Sequence, residues 1–465
     1  MAEETHPFKE KFSYSVGQFA DTVAYQGFTY LIFTFYFAVI GLDAWWITWG
    51  FIGWSIWNAL NDPLLGLLSD RTKSSKWGRR KPWIIVGTIP LAILMFLLFT
   101  PIQSSKEAAF VYFIIIIMAF DGIYTMVSLN HTSLFPEMYI DEKSRASVSR
   151  MRRLLTIVAL IVAVVLPTVF IEDLTNQHGY PYTQSQFQMT GAVLGIIVLV
   201  GFVIFIKWGI REKKEFKQDA YKTPNVFKAF KYTLKNKSFL FYVVAALMTW
   251  YIYGMLLPIV PFYGTYVLGV EQGSLLLSAL LLIVFLMAIP GLYFWKIVGH
   301  RIGLRKGYMI SMLWWAAALT PFYFISDIIS GLVTMAIVGI GLAGSLYYID
   351  LLVSDIVDED ELKTGCRREG GYYGINALII RLSTILTFVT IGIVLSTNGW
   401  LVYDPGTYSY ALEMGLRSIM FIFPAIALII GVVSLYFYPL HGKRLQEIKE
   451  AQAKLHAEKR AACAA

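Results

Sequence analysis

An acidic residue interrupts an apolar stretch in the segment WNALNDP, residues 57–63. At helical spacing Asn58 lies on the same face as both Asn61 and Asp62. Pro63 loosens the helix there because it cannot donate a backbone hydrogen bond. Side-chain oxygens on one face, with one carboxylate, suit a small hard cation or a proton. The alternative is that the segment packs helices together and couples to no ion.

The surrounding sequence must supply the elements that position these groups, and it is strongly apolar. Hydrophobic residues make up 57% of the 465 residues and charged residues 15%, with a mean hydropathy of +0.59. A helix needs about 20 mainly apolar residues to cross the hydrocarbon core, where its backbone groups must bond within the segment. The sequence therefore predicts an all-α integral membrane protein with twelve transmembrane helices. They lie near residues 13–41, 45–69, 82–101, 108–133, 147–171, 190–209, 239–267, 273–299, 307–326, 331–355, 373–396 and 413–439.

The basic residues predict how these helices are oriented. With a cytoplasmic N-terminus, 36 of the 39 lysines and arginines fall on the inner side. This asymmetry predicts that both termini lie in the cytoplasm. The expected location is the plasma membrane. The net charge of +8 is then explained by orientation and by anionic lipid head groups rather than by nucleic acid, so no nucleic-acid partner is expected. The two cysteines form no metal motif, and no Walker A sequence is present.

The longest internal polar stretch divides the chain into two halves. We predict an N-terminal six-helix half at 1–210, a cytoplasmic central loop at 211–238, a C-terminal six-helix half at 239–440 and a cytoplasmic tail at 441–465. Short inner loops rich in glycine and arginine follow helix 2 and helix 8, so the halves echo each other. Two such halves with a site near the bilayer midplane are typical of secondary transporters.

Three segments carry a resemblance to a known family. They are NDPLLGLLSDRTKSSKWGRRKPWIIVG at 61–87, SDIVDEDELKTGCRREGGYYG at 354–374 and FSYSVGQFADT at 12–22. They resemble the glycoside–pentoside–hexuronide cation symporters, the melibiose-permease-like branch of the major facilitator superfamily. The resemblance implies the major facilitator fold and cation-coupled transport of a sugar. By analogy with the superfamily, a monomer is expected.

The resemblance also implies a coupling site. Asp62 falls on the family's cation-coupling aspartate, and Asn61 and Thr125 match positions that line the same site. Asn58 stands where sodium-using members resemble one another in having a second aspartate. With one carboxylate in place of two, the expected ion is a proton rather than sodium. Arg381 falls where the family carries a lysine, and it would act by exchanging partners because arginine keeps its proton; the alternative is a fixed ion pair between the halves.

A substrate clamp follows from the same resemblance. Asp21 matches a sugar-binding carboxylate, and Arg153 matches the family's sugar-site arginine. A carboxylate accepts paired hydrogen bonds from vicinal hydroxyls. An Asp21–Arg153 pair would also lessen the burial cost of each charge. The alternative for Arg153 is an inner-loop charge, since Arg150 and Arg152 adjoin it.

Helix 4 and several aromatic residues complete the predicted substrate site. Tyr124 fits the family pattern, whereas Ser128 replaces the second sugar-binding aspartate of melibiose-type members, which argues against their galactoside specificity. Asp121 is an extra polar group that either moves the recognition site or only bonds locally. Trp250 and Tyr348 are expected to stack on sugar faces, although such rings also serve as interfacial anchors.

Charged residues of the inner loops predict a cytoplasmic gate between the halves. The predicted gate residues are Asp70, Arg71, Arg80, Asp355, Asp358 and Arg367. Ion pairs among them would break when the halves rock. The alternative is plain solvated charge, which contributes little.

These observations favour a secondary active transporter that couples entry of a glycoside, pentoside or sugar acid to a cation, with no cofactor and no catalytic residue. A lysophospholipid transporter of the same branch is the alternative, since an amphipathic cavity with these polar groups also suits a zwitterionic head group. An intramembrane enzyme would need a nucleophile with a base, or metal ligands, inside the helices. This class is disfavoured because His131 has no cysteine beside it. A sensor that binds substrate without moving it would show binding without uptake.

Overall fold

The computed structural model describes residues 7–72, 78, 80–139, 142–211, 236–271, 275–364 and 369–464. Its described elements are helices, as the sequence predicts. The first half contains α1 (Phe8–Thr34), α2 (Ala44–Arg71), α3 (Lys81–Leu97), α4 (Lys106–Met138), α5 (Glu142–Phe170) and α6 (Thr183–Ile204). The second contains α7 (Lys237–Tyr266), α8 (Leu275–Ile302), α9 (Leu304–Leu319), α10 (Ile328–Thr364), α11 (Glu369–Thr397), α12 (Tyr410–Met420), α13 (Ile422–Tyr436) and α14 (Gly442–Ala464).

Local sequence explains where α2 and α4 begin. Asp43 precedes α2 and accepts a hydrogen bond from the Trp45 backbone N–H at 2.7 Å. Ser105 precedes α4 and accepts one from the Ala108 N–H at 3.2 Å. These side chains satisfy backbone donors that have no partner within the helix. Pro63 lies inside α2, which continues through it to Arg71.

Nine helices of the described chain are long and apolar enough to cross a membrane, and the shorter helix Lys81–Leu97 is also apolar. The other two predicted spans are helical as α2 and α9. Polar residues such as Asn58 and Asp62 lower the hydropathy of α2, and α9 has 16 residues. Each of the twelve predicted spans therefore corresponds to a helix or, for the last, to a pair of helices.

Several predicted boundaries differ from the structure by a few residues, and the tenth span, the last span and the tail differ more. The tenth span was predicted to end at 355, but α10 continues to Thr364. The added residues include Glu, Leu and Lys, which favour helix outside the bilayer. The last predicted span is interrupted at Phe421, between α12 and α13. The predicted tail also contains a helix, α14, which packs on α10.

The described chain forms two compact units. Unit 1 contains 1–222 together with 260–282 and 391–413, and unit 2 contains 223–259, 283–390 and 414–465. The two later segments join unit 1 through an aromatic cluster. Phe33 and Phe37 contact Phe262 at ring-centroid distances of 5.9 and 5.8 Å, and Phe37 contacts Tyr403 at 5.7 Å. The units thus do not coincide with the predicted six-plus-six division of the chain, which stays a prediction.

Within unit 1, helix contacts bring together the segments that carry the predicted site. Helix α1 packs on α5 and α6, while α2 and α3 both pack on α4. Residues of α1, α2, α4 and α5 therefore converge. In unit 2, α9 packs on α10 and α13.

Candidate functional site

Asp21 is the centre of a polar cluster inside unit 1. Its side chain is buried on α1, with 7% of the residue exposed. Gln18, one turn earlier, donates from Nε2 to Asp21 Oδ2 at 3.4 Å. The hydroxyls of Tyr124 and Ser128, both on α4, adjoin the carboxyl. The structure thus brings together three of the predicted substrate residues. Within the part of the chain that the structure describes, Asp21 Oδ1 is buried and has no hydrogen-bond partner.

Aromatic rings border this cluster on one side. Tyr124 stacks on Tyr25 with ring centroids 5.2 Å apart, and on Phe120 at 5.9 Å. Ser128 Oγ donates to the Tyr124 hydroxyl at 3.4 Å. A carboxylate beside ring faces is the combination that recognises a ligand with hydroxyls and an apolar C–H face.

The arginine that reaches the Asp21 cluster is Arg152, and the substrate role predicted for its neighbour Arg153 stays a prediction. Arg152 donates from Nε to Gln18 Oε1 at 3.1 Å, and from Nη2 to the same oxygen. Its guanidinium lies 4.7 Å from the Phe135 ring centroid. Arg153 is exposed. Because successive helical residues point about 100° apart, the two arginines project from α5 in different directions.

A second polar cluster joins α2 to α4. Asn58 donates from Nδ2 to Asp121 Oδ1, and Asn61 donates from Nδ2 to Asp121 Oδ2 at 3.3 Å. Thr125, one turn after Asp121, donates from Oγ1 to Asp62 Oδ1 at 3.0 Å. The four residues predicted for cation coupling on these helices therefore lie together.

The hydrogen bonds of Asp121 agree with the second of its two predicted roles, local bonding, and its role at the substrate stays a prediction. Asp121 was assigned to the substrate set, yet the side chains that contact it, Asn58 and Asn61, belong to the predicted cation set. Asp121 and Asn58 are each only 1% exposed. The physical reason is register, because Asp121 and Thr125 lie one helical turn apart and share the face of α4 that packs on α2.

Sequence reasoning missed Gln18 and Arg152. Gln18 lies three residues before Asp21, so helical spacing alone could have included it. Arg152 could not be distinguished from Arg150 or Arg153 without the rotation of α5 about its axis, which packing against α1 decides.

Three predicted residues belong to unit 2 and are described within it. Trp250 on α7 contacts Tyr253 edge to face at 5.5 Å, and its Nε1 is buried without a hydrogen-bond partner in the described chain. Arg381 lies half-buried on α11. Tyr348 is fully buried and donates to the Trp295 carbonyl at 2.7 Å. Its prediction as a substrate residue is corrected, because its ring packs α10 against α8 and its hydroxyl is already bonded.

The predicted gate is only partly described. The side chains of Asp70 and Arg71, and the whole of Arg367, lie outside the described residues. Arg80 is buried at the start of α3, and Asp358 is half-buried on α10. Asp355 pairs with Lys449 of α14 at 3.3 Å, so it bonds inside unit 2.

The chain matches a family model described as "MFS/sugar transport protein" over residues 13–442. It is 26% identical to the uncharacterized symporter YjmB of Bacillus subtilis, over 96% of each chain. It is 25% identical to a putative sulfoquinovose importer of Salmonella typhimurium, over 95% of this chain and 92% of the relative. It is also 25% identical to a putative 2,3-dihydroxypropane-1-sulfonate exporter of Escherichia coli, over 98% of this chain and 97% of the relative.

Solved structures show the same fold. The crystal structure of the nucleoside transporter NupG superposes with a TM-score of 0.67 at 13% identity, covering 92% of this chain and 99% of that one. An inward-facing bacterial homologue of the lysosomal transporter Spinster superposes with a TM-score of 0.68 at 14% identity, covering 93% and 98%. The family model spans most of the chain and agrees with the resemblance read from its motifs. The protein is therefore an integral membrane transporter that belongs to the MFS/sugar transport family of the major facilitator superfamily.

Proposed function

We propose that the protein is a symporter that couples entry of a sugar or sugar acid to a cation by alternating access, in the plasma membrane and with both termini cytoplasmic. The substrate site is the cluster around Asp21, and the coupling site is the cluster around Asp62. Coupling requires both ligands to favour the same conformer, and the effect is reciprocal. Both clusters use residues of α4, so the two ligands contact one helix.

The observation that carries the proposal is Asp21 Oδ1, which is buried and has no hydrogen-bond partner among the described residues. A buried acceptor without a donor is costly, by about 1–3 kcal/mol. A substrate hydroxyl that donates to Oδ1 offsets this cost, while the neighbouring Tyr124 and Ser128 hydroxyls can turn to serve a second one. A substrate hydroxyl that donates to this cluster is stabilised there, and the stacked rings lie beside it. The cluster therefore supports a sugar-like substrate.

Arg152 supports extending the substrate class to sugar acids. Its guanidinium has five N–H groups, and the bonds to Gln18 Oε1 use only those on Nε and Nη2. A carboxylate or sulfonate on the substrate can accept from the remaining N–H groups. The relatives named for sulfoquinovose and for a hydroxylated sulfonate fit this class, although neither name assigns a substrate to this chain.

Uptake into proteoliposomes tests the proposal. A proton gradient and a sodium gradient are imposed separately, and labelled glycosides, pentoses, uronates and sulfonated sugars are screened. Gradient-driven accumulation of one of them, lost in both Asp21→Asn and Asp62→Asn, is the expected result. Glu107→Gln is the matched control, because it removes an exposed carboxylate at the start of the same helix α4.

Two results would overturn the proposal. Uptake of lysophospholipid with no sugar or sugar acid transported would assign the protein to the amphiphile carriers. Sugar accumulation that is unchanged in Asp62→Asn would overturn the proposed coupling site at Asp62, while the proposed substrate class would stand.

A further inference from the structure

Two lysines of unit 1 converge on one exposed tryptophan. Lys9, in the first turn of α1, has its Nζ 4.6 Å from the ring centroid of Trp208. Lys207, in the helical turn that follows α6, has its Nζ 4.8 Å from the same centroid. An ammonium group within about 6 Å of an indole ring is attracted by the ring. Trp208 therefore holds both positive charges at one place.

Close packing of the start of α1 on the end of α6 positions the two lysines. A Cβ added at Gly209 would lie 2.8 Å from the Tyr14 backbone nitrogen and 2.9 Å from the Ser13 carbonyl carbon. Only a glycine allows this approach. Arg211 adds an ion pair across the same contact, from its Nε to Glu10 Oε2 at 3.0 Å. The lysine pair is therefore carried by two packed helix ends.

The charge of the lysine pair is not balanced by a carboxylate in the described part of the chain. Glu10, next to Lys9, pairs with Arg211. Neither Lys9 nor Lys207 forms an ion pair with the residues that the structure describes, and both are exposed. Two ammonium groups held against one ring repel each other. An anion that binds between them removes this repulsion.

The lysine pair lies where two membrane-spanning helices end. The apolar spans Phe8–Val39 and Thr183–Gly209 have their first and last residues there. Trp208 is 41% exposed, and the exposed rings of Phe8 and Phe12 stack on each other at 5.9 Å. Tryptophan is enriched at the depth of the lipid head groups, and exposed phenylalanine rings insert at the boundary with the acyl chains. Basic groups beside such rings match a ligand that joins an anionic head group to hydrocarbon chains.

We infer that Lys9, Lys207 and Trp208 form a binding site for an anionic phospholipid, with the two ammonium groups on its phosphate. Basic residues next to a membrane-spanning helix attract anionic lipids, and here two of them share one ring. The lipid belongs to the leaflet on the side of the N-terminus, which the proposed topology makes the cytoplasmic leaflet. A lipid bound here connects α6 to α1, the helix that carries Asp21.

Native mass spectrometry of the purified full-length protein in detergent tests the inference by titration with phosphatidylglycerol. Phosphatidylcholine has a phosphate but no net charge, and glycerol 1-phosphate has no acyl chains, so these two are the comparison ligands. The wild type is expected to bind phosphatidylglycerol about tenfold or more tightly than phosphatidylcholine. It is expected not to bind glycerol 1-phosphate. Lys9→Gln combined with Lys207→Gln is expected to abolish the preference for phosphatidylglycerol.

Two further double variants separate this site from net charge and from folding. Lys296→Gln combined with Lys306→Gln removes two exposed lysines of α8 and α9, and it is expected to change the affinity by less than about twofold. Lys9→Arg combined with Lys207→Arg keeps both charges and their attraction to the ring, so it is expected to bind as the wild type does. Equal midpoints of thermal unfolding without lipid would show that the glutamine variants are folded.

Three results would overturn the inference. The first is a wild-type protein that binds phosphatidylglycerol and phosphatidylcholine equally. The second is a loss in the Lys296 and Lys306 variant as large as that in the Lys9 and Lys207 variant, which would assign the effect to net charge. The third is binding of glycerol 1-phosphate as tight as that of phosphatidylglycerol, which would make this a site for a free anion. Because no sugar is present, none of these results bears on the proposed transport function.

Discussion

Thr125 on α4 donates a hydrogen bond from Oγ1 to Oδ1 of Asp62 on α2, at 3.0 Å. The contact fixes one oxygen of the proposed coupling carboxylate and links the two helices that carry the cation cluster. Whenever Asp62 is ionised, a hydrogen bond of this kind contributes about 1.5–3 kcal/mol.

Replacing Thr125 by valine removes this donor while keeping the shape of the side chain. We expect the half-saturating concentration of the coupling cation to rise by roughly tenfold to a hundredfold. Thr125→Ser keeps the hydroxyl and is expected to stay close to the wild type. The measurement is initial uptake in proteoliposomes as a function of cation concentration at a fixed sugar concentration. Equal cation dependence in the valine and serine variants would contradict the role given to this hydroxyl.

The two adjacent arginines of α5 give a matched pair for the substrate site. Arg152 bonds Gln18 and lies near Asp21, whereas Arg153 is exposed. We expect Arg152→Gln to raise the half-saturating concentration for the transported sugar by about tenfold or more, because Gln18 then loses a charged donor. Arg153→Gln is expected to change it by less than about twofold.

The same measurement of the half-saturating sugar concentration can contradict the assignment of Arg152 to the substrate site. A large effect of Arg153→Gln with a small effect of Arg152→Gln would restore the arginine that the sequence predicted. Thermal unfolding of both variants in detergent serves as the control for folding.

The fold was largely predictable because apolar length and charge asymmetry are properties of whole segments. A span such as 331–355 is apolar enough to be recognised without knowing its neighbours, although its helix continues to Thr364. The grouping of Asn58 with Asn61 and Asp62 was also accessible, since Asn58 shares a helical face with each of them at fixed spacing.

The membership of each cluster was less predictable, because it depends on how helices rotate against one another. Asp121 was assigned to the substrate, and only the packing of α2 on α4 places the two asparagine amides on it. Arg152 and Arg153 are adjacent in the sequence, so residue type alone cannot distinguish them. Tyr348 is an aromatic residue that could stack on a sugar, and only the structure shows that its hydroxyl bonds to the Trp295 carbonyl. Such distinctions depend on tertiary contacts that no local pattern encodes.

Helices α3 and α6 pack closely, and this packing leads to a prediction about stability that does not depend on the proposed function. A Cβ added at Gly195 would lie 2.5 Å from the Ala92 carbonyl oxygen, and that backbone atom cannot move aside cheaply. We expect Gly195→Ala to destabilise the protein by about 1–3 kcal/mol. At Gly66 a Cβ would lie 3.9 Å from Leu129 Cδ2, so Gly66→Ala is expected to be neutral or stabilising.

The comparison uses the midpoint of thermal unfolding in one detergent. A midpoint for Gly195→Ala at or above that of Gly66→Ala would show that α3 and α6 are not packed as closely as the structure has them.

Arg417 on α12 organises the segment that follows α9. It is 5% exposed and donates from Nη1 to the Tyr323 carbonyl at 3.1 Å and to the Ile325 carbonyl at 2.7 Å, while Nη2 donates to Ser326 Oγ at 2.8 Å. This planar, multiple donation is specific to a guanidinium. Arg417→Met is expected to lower stability by about 1–3 kcal/mol, because partly buried carbonyls lose their donor.

Arg417→Lys distinguishes geometry from charge at this position. A lysine keeps the positive charge but presents a single ammonium, so it can serve only part of the carbonyl set. We therefore expect its unfolding midpoint to lie between those of the wild type and Arg417→Met. If the lysine variant were as stable as the wild type, charge alone would account for the contribution of Arg417, and the ordered donation to residues 323–326 would not matter.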